Sequence, residues 1–305
     1  MKILIAHWNN ILNDVEKTLW ERGHTILENI KFLPEADALV LWNEVERSGR
    51  PIIRIAKGLG KKVVVVQHGR GETIRLFPPF NEKLLSDKCC VWGEGERKRM
   101  MKVGVPADKI EVTGCPILKY LKPRVKHEGK NVVFCADHWD MGETKENLIV
   151  AKELRKLEGV NIISKILEGE HDPTIYDNPV ASNRNQPGHL DIMMGVLAKA
   201  DLIVGISEST IEVLAEVLDI PVVIADIWTP RPCAADERYL KYNRKKIYSD
   251  ASTKVKDMSK LNKVILQQLK HPGKLKRKRK KVAINEMGIK FKDPVGNIVK
   301  VIENI

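Results

Sequence analysis

The chain has 305 residues, enough for two α/β cores, and its 52 Lys and Arg against 40 Asp and Glu leave a net charge of +12 at pH 7. Its five cysteines, Cys89, Cys90, Cys115, Cys135 and Cys233, form an odd set without CxxC spacing, which argues against a disulfide framework and a zinc site. No leader-like segment and no run of eighteen apolar residues occurs, so the chain reads as a soluble, cytoplasmic protein without a transmembrane segment.

Strand candidates in the first half are 2–8, 25–30, 38–42, 62–67, 88–92 and 110–113, and helical stretches fall at 13–22, 51–58, 94–103 and 117–121. Val63-Val64-Val65-Val66 is apolar on both faces, as a central parallel strand covered by helices must be. Residues 123–130 lack periodicity and contain Pro123 and Gly129, which marks a linker after a first domain of 1–122. The alternation restarts with strands at 131–135, 160–167, 201–205 and 221–225 and helices at 143–157, 189–199, 209–218 and 255–270, giving a second domain of 131–290. An amphipathic tail over 291–305 is expected to cross back as a helix. The implied fold is α/β: two Rossmann-like, doubly wound parallel-sheet domains facing a cleft, with ligands beyond the carboxyl ends of the strands.

Several segments carry chemistry. Residues 200–224 read as a buried strand, a hydroxyl-bearing turn, an amphipathic helix and a second buried strand. Ser207, Ser209 and Thr210 then lie at a helix N-terminus, where free N–H groups and the helix dipole favour phosphate. His68 follows the fourth strand, between Gln67 and Gly69, and is a candidate base; Arg70 and Arg75 in the same segment are candidate polyanion contacts. Neither G-x-G-x-x-G nor G-x-x-x-x-G-K-[ST] occurs, which weakens a dinucleotide oxidoreductase or P-loop reading.

After the first strand of the second domain come Asp137, His138 and Asp140, able to act as base, orient a sugar or bind a divalent cation; Asp140 could equally open the next helix. No metal is expected to be required. Lys165, near the end of an apolar strand, suits an anionic ligand. His189 either caps its helix or faces the cleft, and Trp8, Trp42, Trp92, Trp139 and Trp228 either stack on sugars or bases or serve packing. The run 274–281 holds seven cations in eight residues, among them Lys276, Arg277, Lys278 and Arg279. It contacts nucleic-acid phosphates or an anionic membrane surface, or is a solvated loop between helices.

Ser86-Asp87 through Val91-Trp92-Gly93, Gly104-Val105-Pro106 and the segment from Lys109 to Pro116 resemble a stretch shared by three groups of the GT-B superfamily. These are the non-hydrolysing UDP-N-acetylglucosamine 2-epimerases, the CDP-glycerol glycerophosphotransferases and related surface-polysaccharide glycosyltransferases. Gln67-His68-Gly69 is similar to the turn preceding that stretch, and Lys165, His171-Asp172-Pro173 and Ser209-Thr210 to elements that follow it. The terminal 296–302 resembles their last helix. The resemblance implies a donor site of Lys165, His171, Ser207, Ser209 and Thr210. It also exposes departures. The epimerase carboxylate after the His falls near Arg70, and Thr229-Pro230-Arg231-Pro232 lacks the Glu of a T-E-R-P turn. Leu214 stands where a ribose-binding Glu is common, for which Glu212 or Glu216 could substitute.

The leading expectation is a metal-independent transferase without a cofactor, taking a UDP- or CDP-linked sugar, or a glycerophosphate-like group, to a hydroxyl of a polyanionic acceptor. His68, Asp137 or His138 would serve in catalysis, and the acceptor would be a glycan or lipid-linked glycan, with peripheral membrane contact. The alternatives are a DNA glycosyltransferase acting on hydroxylated bases, an epimerase-like enzyme, or a non-catalytic scaffold binding nucleotide-sugar or nucleic acid.

Overall fold

The computed structural model describes residues 1–6, 12–42, 44, 49–67, 69, 83–136, 144–183, 188–206, 209–227 and 250–305. His68, Arg70, Arg75, Asp137, His138, Asp140 and Ser207 lie outside the described residues, as do Trp8, Trp139 and Trp228. The chain divides into two compact units, Met1–Leu118 with Ile284–Ile305, and Lys119–Ala283. The corresponding boundaries in the sequence reading are 122/123, 130/131 and 290/291.

The first unit is built on strands β1 (Lys2–Ala6), β2 (Thr25–Leu27), β3 (Ala38–Leu41), β4 (Lys62–Val66), β5 (Lys88–Val91) and β6 (Ile110–Val112), with helices α1 (Asn13–Glu21), α2 (Gly49–Gly58) and α3 (Glu94–Lys102). Its sheet is parallel in the order β2-β1-β3-β4-β5-β6. Because successive strand residues face opposite sides, Leu4, Leu39, Val63, Val65 and Val91 pack with Ile53 and Met100 on one face. Ile3, Ile5, Val40, Val64 and Val66 pack on the other with Val15 and Leu19. The α/β pattern thus arises from Val/Ile-rich strands that both faces must bury. The last helix, Pro294–Glu303, adds Ile298, Val299 and Ile302 to the second of these clusters. Asp293 caps it by accepting from the Gly296 N–H at 2.8 Å.

The second unit contains β7 (Asn131–Cys135), β8 (Asn161–Leu167), β9 (Pro179–Ser182), β10 (Leu202–Gly205), β11 (Val222–Ala225) and β12 (Ser252–Val255). Its helices are α4 (Lys145–Leu154), α5 (His189–Lys199), α6 (Thr210–Val217), α7 (Leu261–Lys270) and α8 (Lys276–Asn285), the last ending in the first unit. The sheet is again parallel, ordered β12-β11-β10-β7-β8-β9. Val132, Phe134, Leu202, Val204 and Val223 bury one face against Val150, Leu154, Leu261 and Ile265.

Several elements differ from the sequence reading. The edge strands β9 and β12 were not anticipated, because PVAS and STKV are short and only partly buried. Residues 116–120 form a 3-10 turn, not an α-helix. The segment read as one helix over 255–270 splits, because the Asp257 carboxylate accepts from the Ser259 N–H at 3.1 Å and starts a separate turn before α7. The basic run is helical from Lys276 onward, which corrects the solvated-loop alternative. Among the described residues no helix is long and apolar enough to cross a membrane.

Candidate functional site

In the second sheet β7 lies between β8 and β10, and the strand order reverses direction between β7 and β10. In open parallel sheets ligands bind outside the carboxyl ends of the strands at such a reversal. The paired residues Cys135 and Gly205 end these two strands side by side. After β10 the chain enters α6, with Ser209 as its N-cap.

The start of α6 is internally tied. The Ser209 N–H donates to Glu212 Oε2 at 2.8 Å and the Ser209 hydroxyl donates to the same oxygen at 2.5 Å. Glu212, 2% exposed, is therefore the carboxylate of a capping box. Glu212 is thus turned to the N-cap, and the Ser209 hydroxyl is engaged with it. What the helix end still offers an anion is the N–H groups of Thr210 and Ile211, which have no intrahelical acceptor, and the Thr210 side chain. A carboxylate in this first turn offsets part of the positive helix end, so an anion bound here needs a cation beside it.

Among the described residues Lys165 is the buried cation nearest in the fold by strand pairing. It lies on β8 opposite Cys135, pairs with Val180 on its other side, and is 9% exposed. Burial pushes the Cys135 thiol well above its ordinary pKa, Glu212 adding to the shift and Lys165 opposing it, so both charges act on the same sulfur. Lys165, Cys135 and the start of α6 are thus grouped at the strand-order reversal.

His171 is placed differently. It is 7% exposed, its Nδ1 accepts from the Leu167 N–H at 3.1 Å, and its ring meets Tyr176 edge-on at 6.0 Å. This nitrogen closes the turn after β8. Asp172 caps the next 3-10 turn by accepting from the Thr174 N–H at 2.9 Å. His189 is the first residue of α5, its Nδ1 lying 3.0 Å from Ser182 Oγ at the end of β9.

In the first unit β4 is followed by an anchor that the sequence reading did not single out. Gln67 is 5% exposed; its Oε1 accepts from the Trp92 N–H at 2.8 Å and its Nε2 donates to the Gly69 carbonyl at 2.9 Å. The Trp92 indole N–H donates to the Gln67 carbonyl at 2.8 Å, and Trp92 is 1% exposed, so this tryptophan packs and does not stack on a ligand. Glu44 was also missed. Its buried carboxylate accepts from Leu85 N at 2.6 Å, Ser86 N at 3.1 Å and Ser86 Oγ at 2.8 Å, and pairs with Arg50 at 3.0 Å. A lone Glu in a polar stretch carries no sequence signal for this.

The basic run divides into two kinds of cation. Arg279 is 1% exposed; its Nε donates to Asp219 Oδ1 at 2.8 Å and its Nη2 to the Pro272 carbonyl at 2.6 Å. Its assignment as a polyanion contact is corrected: it fastens α8 to Asp219, which follows α6. Asp219 takes φ +59°, a left-handed conformation that Asp tolerates better than most residues. Lys276, Arg277 and Lys278 are exposed, Lys276 reaching Asp219 Oδ2 at 3.3 Å.

No protein-family model and no curated protein sequence matches the chain. Solved structures do. The UDP-GlcNAc 2-epimerase of Neisseria meningitidis, bound to UDP-GlcNAc, matches with a TM-score of 0.65 at 13% identity over 100% of both chains. The wall teichoic acid polymerase TagF matches with 0.62 at 10% identity, over 99% of this chain and 88% of that one. MnaA of S. aureus with UDP matches with 0.60 at 12% identity, over 99% and 94%. At such identities the likeness shows the fold: the chain has the two-domain GT-B fold, with a six-stranded parallel sheet in each unit.

Proposed function

We propose that the chain is a nucleotide-sugar-dependent transferase that moves a sugar, or a glycerophosphate-like group, from a nucleoside-diphosphate-linked donor to a hydroxyl of a polyanionic glycan or lipid-linked glycan. One observation carries this reading: the strand-order reversal of the second sheet brings Lys165 and the N-terminus of α6 to the edge where such sheets bind nucleotides.

On this reading Lys165, Thr210, the first N–H groups of α6 and Ser207 receive the diphosphate. As the bond from the transferred group to the diphosphate oxygen breaks, negative charge grows on that oxygen, and fixed donors already aimed there lower the barrier. His68, which follows Gln67 in the sequence, takes the proton of the acceptor hydroxyl as its oxygen attacks, with Asp137 or His138 as the alternative base. The chain's own residues supply the charge stabilisation, and no metal enters the scheme.

The test is a screen of nucleotide-linked donors against glycan and lipid-linked acceptors with wild type, H68A and K165M. Product with wild type and its loss in both variants supports transfer, whereas binding without product points to a scaffold. A second reading, epimerisation, is favoured by the similarity to the Neisseria epimerase. It is weakened by Arg70 and Pro230 standing where acidic groups are expected. Incubation with UDP-GlcNAc alone separates the two, since epimerisation needs no acceptor.

A further inference from the structure

We infer that the exposed cationic face of α8 docks the protein on an anionic phospholipid surface. Lys276, Arg277, Lys278, Lys280 and Lys281 are all exposed, and Lys276 has 72% of its side chain in solvent. At 3.6 residues per turn they cover an arc of about 200° of the helix surface. Arg279, on the remaining side, is turned inward onto Asp219 and the Pro272 carbonyl.

This arrangement is unfavourable in isolation. The first turn of α8 holds no acidic residue, so cations crowd the end of the helix dipole that is already positive. Lys276 with Lys280, and Arg277 with Lys281, are like-charged i,i+4 pairs. Among the described residues Asp219 is the acid with an ion pair to this helix, and it also carries Arg279. A dense external anion relieves the repulsion while the Arg279 anchor keeps the helix in place.

The occupant follows from the side chains and their position. From 276 to 281 every residue is Lys or Arg, so contacts to a nucleic acid would be confined to phosphates and guanine edges, and no aromatic group is available to stack on a base. The exposed set contains one Arg and four Lys, compact hydrated charges suited to a diffuse headgroup layer and less to a forked phosphate contact. Arg279 fastens to Asp219, beyond the C-terminus of α6, whereas the candidate donor site lies at the N-terminus of that helix. The anchor is therefore one helix length, about 12 Å, from the donor site. Exposed Lys270 and Lys274 precede the helix and extend the charge. Each Lys or Arg near an anionic bilayer strengthens binding about fivefold.

The full chain is sedimented with vesicles of phosphatidylcholine alone and of phosphatidylcholine mixed with phosphatidylglycerol, at rising salt. The comparison variant is K276Q/R277Q/K278Q/K280Q/K281Q, which keeps Arg279. Expected are binding to the anionic vesicles, release by salt, and a loss of roughly three-thousandfold in the variant. A companion measurement on wild type alone, amide hydrogen exchange with and without anionic vesicles, is expected to protect 276–281. Equal binding to both vesicle types, wild-type binding by the variant, or no protection at 276–281 overturns the inference. So does binding to duplex DNA or to a soluble anionic glycan at a salt concentration where anionic vesicles are not bound. The readout needs neither donor nor turnover, so it stands or falls separately from the transferase reading.

Discussion

Replacing Gln67 by Leu tests how much the amide bridge joining Gln67, Trp92 and Gly69 contributes to the stability of the first unit. The bridge has one orientation, because Oε1 must face the Trp92 N–H and Nε2 the Gly69 carbonyl. Leu has a similar volume, so little cavity is created, but a buried donor and a buried acceptor lose their partners. Each orphaned group costs about 1–3 kcal/mol, and with Gln67 5% and Trp92 1% exposed, water cannot readily replace them. A loss of about 3 kcal/mol is expected, or roughly 9 °C in the melting of the first unit at about 3 °C per kcal/mol. Gln67→Glu keeps the acceptor for Trp92 but turns a second oxygen toward the Gly69 carbonyl. Burial raises the pKa of such a carboxyl above its unfolded value, so stability gained by its protonation is present at low pH and lost as pH rises through the raised value. Urea denaturation of wild type and both variants between acid and neutral pH measures these effects, and transfer assays at a permissive temperature should show lost turnover. If Gln67→Leu stays within about 0.5 kcal/mol of wild type, the bridge does not stabilise the first unit.

Gly288 takes φ +62°, and a Cβ there would meet the Trp92 carbonyl and the Gly114 Cα, so Gly288→Ala is expected to lower stability by about 2–4 kcal/mol in denaturant titration. A neutral result contradicts the packing described between the chain return and the first unit. Glu303 is held below its ordinary 4.5 by the hydrogen bond with His24 foremost and by Arg22, with burial opposing. Its contribution is present above 4.5 and lost as pH falls through the lower folded value, so the gap between wild type and Glu303→Gln should close on acidification; a gap independent of pH refutes it. Burial raises the Cys90, Cys115 and Cys135 thiols well above their ordinary range. Peptide mapping after iodoacetamide at pH about 8 should find these three modified only in denaturant, since the thiolate is the reactive form; native labelling would contradict their burial.

The legible parts of the fold were those in which one local pattern has one structural solution. Val63 to Val66 can be buried on both faces only inside a helix-covered sheet, and the alternation of such runs with helices conveyed two parallel sheets. β9 and β12 escaped because edge strands need only partial burial, and Pro179 weakens a strand pattern. At the site, Lys165 and the turn before α6 stood out as a buried cation and a hydroxyl-rich helix start. The bonding within that turn did not, since Glu212 reads equally as a ligand or as the far half of a capping box. Gln67 was visible beside His68, but its partner Trp92 is distant in sequence. In the basic run, charge alone could not separate Arg279 from its neighbours, because the separation depends on Asp219, brought there by the end of α6.

The most direct measurement is isothermal titration of wild type and Lys165→Met with uridine, cytidine, guanosine, adenosine and thymidine diphosphates, first in EDTA and then in magnesium. Melting temperatures are recorded for both proteins to separate lost binding from lost folding. The transferase reading predicts that uridine or cytidine diphosphate binds wild type in EDTA, that magnesium changes this little, and that Lys165→Met weakens it by about 10- to 100-fold, the range of a charge-assisted hydrogen bond. No binding by any of the five, or equal binding by a folded Lys165→Met, would contradict a donor site at the β7–β10 reversal.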